Sequence, residues 1–208
     1  MEFASSLAGA FFGALAAFLL EALRRRYEKR ERDYEAVLRT QSVLLSQPNS
    51  LMSIRTQMQA SDGTDLFDHL KHAIFGLTQQ AIDFRDLAFL GKGSDPQLLL
   101  ELDVAQEGYR YVTRLIELRN KMIDNFFDHP RTEIEEFDLS SGRVRAVGDL
   151  RLTNMLKQAN EATAKAFLNA EETNRKTTNQ LYGFASTEFP KRRLLRITDE
   201  SAAAHASG

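Results

Sequence analysis

The sequence contains no cysteine among its 208 residues, which excludes a disulfide scaffold and a cysteine nucleophile. Because small exported domains often carry disulfides, this absence agrees with a cytoplasmic location for most of the chain. The formal net charge of −2 excludes a protein that is basic throughout and binds nucleic acid by charge alone. From this charge we expect no nucleic-acid partner. Internal repeats and low-complexity tracts are also missing, so we expect one folded domain.

The usual motifs of catalysis are missing as well. Gly91-Lys92-Gly93 resembles a phosphate-binding loop only in composition, because the Walker spacing and a preceding strand are absent. Arg119 and His129 are separated by nine residues, which does not fit the closer Arg–His motif of some helical ribonucleases. His69 and His72 have a spacing that could hold a metal ion, but they flank the apolar stripe of their predicted helix and no second helix completes a site, which favours a solvated helix face. We expect no catalytic, cofactor-binding or metal-binding residues.

One run of the chain is long and free of charge. It extends from Phe3 to Leu20, and as a helix its eighteen residues rise about 27 Å, close to the roughly 30 Å hydrocarbon core of a bilayer. Glu2 precedes the run and arginines follow it, a pattern typical of an uncleaved anchor. The pattern predicts a transmembrane anchor over residues 1–23. The alternative is an apolar helix buried in the core of an oligomer.

Small residues recur every fourth position within this run. They form one seam along a helix and include a Gly-x-x-x-Gly pair, which allows two membrane helices to approach closely. The seam predicts self-association, and therefore a homo-oligomer, through Ser5, Gly9, Gly13 and Ala17.

Basic residues follow the run directly. By the positive-inside rule they predict a single-pass protein of the inner membrane, with its N-terminus outside and its body in the cytoplasm. We expect contact with anionic headgroups of the lipid bilayer from Arg24, Arg25, Arg26, Lys29 and Arg30. A second basic cluster at residues 191–193 could touch the membrane, bind an acidic partner or simply be solvated.

The rest of the chain has helical periodicity. We expect a juxtamembrane helix over residues 24–46, which Pro48-Asn49 ends, and a helical domain over residues 47–197. Within that domain, helices over about 65–90 and from Pro96 to His129 form an antiparallel hairpin, and Ser94 or Asp95 caps the second of them.

The remaining segments follow from turn and breaker residues. Residues 129–146 are expected to be a loop or short extended segment, with a small β-hairpin as the alternative. A last helix is expected over about 147–182, and residues 198–208 are predicted to be a disordered tail. The predicted fold class is therefore all-α: one N-terminal transmembrane helix continuing into a cytoplasmic helical bundle built on a long antiparallel hairpin.

The plan of anchor, arginine cluster and hairpin, with the segments Asp86-Leu87-Ala88-Phe89-Leu90 and Asp95-Pro96-Gln97-Leu98-Leu99, resembles bacterial single-span membrane-anchored helical proteins of unknown function. Small membrane proteins of phage-defence systems have the same plan. We therefore expect a non-catalytic, self-associating scaffold with a cytoplasmic protein partner. The alternative is an oligomeric membrane effector that perturbs the bilayer on a cytoplasmic signal.

Overall fold

A computed structural model of the chain describes residues 2–58, 81–130, 132–138, 143–147 and 149–195. The side chains of residues 2–10, 93–94, 134–138 and 143–147 lie outside this description. In chain order the described elements are helix α1 (Glu2–Met58), a π-helical turn (Leu90–Ser94), helix α2 (Pro96–Phe127), strands β1 (Glu133–Asp138) and β2 (Arg143–Val147), and helix α3 (Leu150–Glu188).

The described part of the chain is mainly helical, so the predicted all-α class and helical bundle are confirmed in that coarse form. Between α2 and α3, strands β1 and β2 pair as a small antiparallel β-hairpin, which is the stated alternative to a loop over residues 129–146. Its register pairs Glu133 with Val147 and Asp138 with Arg143, with an irregularity between Ile134 and Glu136. The predicted tail at 198–208 lies outside the described residues.

Among the residues that the structure describes, no helix has a stretch long and apolar enough to cross a membrane. The predicted transmembrane helix is therefore not supported by the fold. The helical backbone does extend over residues 2–20, but the side chains of residues 2–10 lie outside the description.

The predicted end of the first helix at Pro48-Asn49 is wrong. Helix α1 passes through Pro48 and continues to Met58, although an internal proline removes a backbone hydrogen bond and costs roughly 3 kcal/mol. The turns beyond Pro48 bury Leu51, Ile54 and Met58 in an apolar cluster with α2 and α3. Burying each such side chain contributes about 1.5–3 kcal/mol, which outweighs the local preference to stop.

The predicted helix over about 65–90 is wrong where it is described, at residues 81–87, which form an irregular segment followed by turns. Two hydrogen bonds explain this. The Asp83 carboxylate accepts from the backbone N–H of Arg85 at 3.0 Å, a local bond that competes with a helix. The backbone N–H of Ile82 donates to the Gln106 side chain at 3.0 Å. His69 and His72, with the rest of residues 59–80, lie outside the described residues.

Helix α2 agrees best with its sequence pattern. The Asp95 carboxylate accepts from the backbone N–H of Leu98 at 3.0 Å and caps the helix, with Pro96 in the first turn. Apolar residues recur at helical spacing along one side of α2, and this stripe is buried apart from the half-buried Met122: Leu98, Leu102, Ala105, Tyr109, Val112, Ile116, Ile123 and Phe126. Helix α3 is longer at its C-terminus than the predicted 147–182 and is capped by Asp149.

Long-range contacts give the helix directions. Arg119 of α2 bonds to Asn160 of α3, and Gly108, eleven residues earlier, lies against Ala170. Sequence numbers fall along α2 as they rise along α3, so the two helices are antiparallel. The two helices form the long antiparallel pair of the structure. It is not the predicted pair, because that prediction joined α2 to a helix over about 65–90, whose described residues 81–87 are not helical. Helix α1 is likewise antiparallel to α3, since Arg30 contacts Glu188 and Arg55 lies near Glu171.

A layer of buried amides separates two apolar clusters in the bundle. Gln47 of α1 donates through Nε2 to Gln106 Oε1 of α2 at 3.0 Å, and Asn174 of α3 donates through Nδ2 to Gln47 Oε1 at 3.1 Å. All three side chains are at most 4% exposed. Because Ile82 also donates to Gln106, this amide layer joins all three helices to residues 81–94, which we call the turn before α2. Thr178 adds a hydroxyl donor to Asn174.

Replacing Gln106 tests the amide layer. Gln106→Leu keeps the volume but leaves the Gln47 amide N–H and the Ile82 N–H buried without this acceptor, so we expect a loss of about 2–4 kcal/mol in the free energy of unfolding. Urea unfolding of the full chain in mild detergent measures it. The matched control is Gln97→Leu on the exposed side of α2, expected to change stability by less than about 0.5 kcal/mol. Equal effects of the two substitutions would show that the hydrogen bonds of the amide layer do not stabilise the bundle.

Candidate functional site

The N-terminal part of α1 projects from the bundle with its apolar side chains exposed. Between residues 11 and 23 the large apolar residues are 43–70% exposed: Phe11, Phe12, Leu15, Phe18, Leu19, Leu20 and Leu23. Of the predicted seam, Ser5 and Gly9 have side chains outside the description. A methyl group placed on the Cα of Gly13 would meet no other atom within 4 Å, and Ala17 is exposed. The described half of the seam is therefore open to contact.

The predicted headgroup-contacting residues have different surroundings. Arg24 pairs with Glu28 at 2.7 Å and Arg25 pairs with Glu21 at 2.8 Å, while Arg26 is exposed. The hydrogen bond from Arg24 lowers the pKa of the Glu28 carboxyl. Both pairs lie on the helix surface, where such pairs contribute little to stability. Their arginines stay accessible to a charged surface.

The structure brings the second basic cluster back onto α1. Arg30 donates through Nη2 to the Glu188 carbonyl at 2.6 Å, and the Tyr34 hydroxyl donates to the Arg193 carbonyl at 2.6 Å. Arg192 forms an ion pair with Glu31. We call residues 189–195, seated on α1, the C-terminal clasp.

Aromatic and amide groups complete the clasp. Phe189 is 6% exposed, and its ring lies 5.5 Å from the ring of Tyr34 and 5.9 Å from the Arg30 guanidinium. Farther along, the backbone N–H of Leu195 donates to Gln41 Oε1 at 3.4 Å. The clasp therefore joins the end of α3 to the middle of α1, and it places residues 191–193 beside the first basic cluster.

A basic cleft opens between α1, the turn before α2 and the end of α3. Its volume is about 780 Å³. Six cationic side chains line it: Lys29, Arg30, Arg32, Arg39, Arg85 and Lys92. Three acidic side chains also line it: Asp33, Asp86 and Glu188. The lining therefore has an excess of three positive charges.

Only part of this positive charge is neutralised within the described residues. Arg39 pairs with Asp86 at 2.8 Å and so ties α1 to the turn before α2. Partial burial raises the pKa of Asp33, while the charges of Lys29 and Arg32 oppose that shift. In the described part of the chain, Arg85 and Lys92 have no carboxylate within ion-pair distance.

Part of the cleft lining is apolar. The rings of Phe89 and Phe184, both half-buried, lie 6.4 Å apart at an angle of 36°, and we call this ring pair the floor of the cleft; Ala36 and Ala88 also line it. A cleft with a cationic rim and an aromatic floor has the chemistry to bind an anion that carries an uncharged part.

Arg119, which was considered above for a ribonuclease motif, lies in the interior of the bundle. Its side chain is fully buried, burial lowers its pKa to about 10, and Nε donates to Asn160 Oδ1 at 2.6 Å. It therefore links α2 to α3 inside the bundle. Among the described residues, no three His, Asp or Glu side chains stand close enough to hold a metal ion.

Sequence reasoning did not find the cleft. A partial signal existed on α1, where Lys29, Arg32 and Arg39 recur at helical spacing on one side. The other two segments, which supply Arg85 and Phe184, are distant in sequence, and only the fold brings them together. Comparison of the chain with protein-family models, with curated proteins and with solved structures finds no match.

The clasp predicts a local effect of one substitution. Phe189→Ala removes the ring that contacts Tyr34 and Arg30, and we expect residues 189–195 to lose about 3 kcal/mol of local stability. Amide hydrogen exchange in this segment should then become roughly a hundredfold faster. Leu168→Ala, at an exposed leucine of α3, is the control and should leave the segment protected. Unchanged exchange after Phe189→Ala would show that the clasp does not depend on the ring.

Proposed function

We propose that this protein is a membrane-anchored, self-associating scaffold. Its N-terminal helix lies in the inner membrane, and its helical body in the cytoplasm binds a protein partner. The observation that carries the proposal is the bare apolar end of α1, where residues 11–20 include no charge and project from the bundle. A helix that is apolar on every side is stable only when it is surrounded by lipid or protein.

The distribution of side chains around the helix supports this anchor. At 100° per residue, the exposed Phe and Leu side chains of residues 11–23 cover more than half of the circumference. The remaining side has the small residues Gly13, Ala14 and Ala17, with Glu21 at its C-terminal end. The bulky side fits lipid, and the small side fits a second copy of the helix.

The length of the anchor depends on the preceding residues. Ten residues from Phe11 to Leu20 rise about 15 Å, half of a hydrocarbon core. A complete span therefore requires the uncharged residues 3–10, which continue the same helix. The arginines from Arg24 onward then lie at the cytoplasmic headgroups, and the N-terminus lies outside.

The proposed scaffold role rests on the surface of the helical bundle. Its described surface is that of a packed bundle that includes the basic cleft, and the proposed anchor would hold that surface beside the membrane. We propose no catalytic activity and no cofactor for the protein. Its partners in this proposal are the lipid bilayer, further copies of itself and one cytoplasmic protein.

The alternative is an oligomeric membrane effector, for example in phage defence. The observation that favours it is the continuity of α1, because the exposed residues 11–23 and the buried Val37 and Leu44 belong to one helix of 57 residues. A displacement within the bundle would therefore move the anchor directly. Depolarisation of cells on induced expression would favour the effector, and an unchanged membrane potential would favour the scaffold.

Charge introduced into the anchor tests membrane insertion. Leu15→Arg with Leu19→Arg places two guanidinium groups in the proposed span, at a cost of about 2.5–3.5 kcal/mol each. We expect the native chain to float with liposomes and resist carbonate extraction, and the double variant to lose both properties. Leu168→Arg, at an equally exposed leucine of the bundle, is the control and should float. Flotation of the double variant with carbonate resistance would contradict the proposal.

Bulk introduced into the seam tests self-association. Gly13→Ile blocks close approach of a second helix, and we expect a smaller assembly by light scattering in mild detergent. Ala22→Ile adds a similar side chain on the bulky side of the helix, half a turn from Gly13, and should leave the assembly intact. If both variants match the native mass, the seam does not hold the oligomer together.

A further inference from the structure

The excess positive charge of the basic cleft is held in place by the fold. Its cations come from two segments that are distant in sequence: α1, and the turn before α2, which ends in the π-helical turn that contains Lys92. The packing of Phe89 against the bundle fixes these segments relative to one another, and the exposed Arg39–Asp86 ion pair at 2.8 Å spans them. The fold therefore keeps like charges close together, which is unfavourable unless an anion offsets them.

The side chains indicate which anion fits. Arginine presents a planar fork of donors that matches phosphate oxygens, and lysine adds a point charge. Three arginines of the cleft, Arg32, Arg39 and Arg85, are exposed at its rim. The Phe89–Phe184 floor offers contact to an uncharged group beside the phosphate. The cleft volume of about 780 Å³ lies within the range of pockets that bind small molecules.

We propose that the basic cleft binds a phosphate-bearing ligand, with the phosphate on the arginine and lysine rim and the uncharged part on the Phe89–Phe184 floor. Two sources supply this chemistry. One is the headgroup of an anionic phospholipid, because Lys29 follows Leu20 by nine residues, a helical rise of about 13 Å. The other is a soluble phosphate compound in the cytoplasm.

The lipid source rests on the membrane anchoring proposed above, whereas the soluble source does not. Failure of the anchor and failure of the cleft are therefore distinguishable. A chain that does not float with liposomes can still be tested for soluble phosphate compounds.

The first arm of the test uses soluble probes. The full chain, in nanodiscs of neutral phosphatidylcholine or, if it does not insert, in mild detergent, is titrated with pyrophosphate and with ATP by calorimetry. If the source is soluble, we expect at least one probe to bind, with an affinity that falls as salt is added. Arg85→Gln with Lys92→Gln, two exposed side chains outside α1 and the clasp, should weaken that binding tenfold or more, since each removes a charged contact to phosphate.

The second arm uses the bilayer and needs no substitution. Acetylation of Lys29 and Lys92 is compared in nanodiscs of phosphatidylcholine alone and in nanodiscs containing phosphatidylglycerol. If the source is lipid, the anionic lipid should slow the modification of both lysines. Lys121, an exposed lysine of α2 that does not line the cleft, should be modified equally in both.

A charge-matched control separates the cleft from general attraction. Arg114→Gln with Lys121→Gln removes the same charge from the exposed side of α2. The proposal requires that this control keep native binding. It is overturned if the control and the cleft variant weaken binding equally, or if neither soluble probe binds and the lysines are not protected by anionic lipid.

Discussion

The arrangement of the molecule depends on three buried amide side chains. Gln47, Gln106 and Asn174 come from three different helices and share hydrogen bonds of 3.0–3.1 Å between two apolar clusters. Apolar packing alone tolerates a helix shifted by one turn, because leucine can replace leucine at the contact. A buried amide does not, since a shift leaves its donor or acceptor without a partner. The layer therefore specifies the register of α1, α2 and α3 in addition to stabilising their contact.

That register decides what meets at the N-terminal side of the bundle. Because α3 is antiparallel to α1, its C-terminal end at Glu188 reaches Arg30, and the clasp continues along α1 toward Gln41. The turn before α2 is held to the same layer through the Ile82 N–H, which positions Arg85 and Lys92 across from α1. The basic cleft is the result, and α1 continues from it without a break into the apolar segment that we propose as the anchor.

The sequence was informative where local pattern and packing agree. The α2 stripe and its Asp95 cap follow from residue spacing, and both are present in the structure. The sequence pattern mispredicted the end of α1 at Pro48, because buried contacts farther along the helix outweigh the cost of an internal proline. It also mispredicted a helix at residues 81–87, because the Gln106 side chain accepts the Ile82 N–H that a helix would use. The cleft could not be predicted, because it unites segments from distant parts of the sequence that single-helix periodicity does not relate.

The most direct test measures a distance across the clasp in the presence and absence of the amide layer. Since the chain has no cysteine, Glu35→Cys with Lys191→Cys gives two exposed spin-label sites without further changes. Pulsed electron paramagnetic resonance should give one narrow distance distribution in the native background and in Gln97→Leu, and a broad one in Gln106→Leu. A broad distribution in the native background, or one in Gln106→Leu as narrow as the native one, would contradict the account.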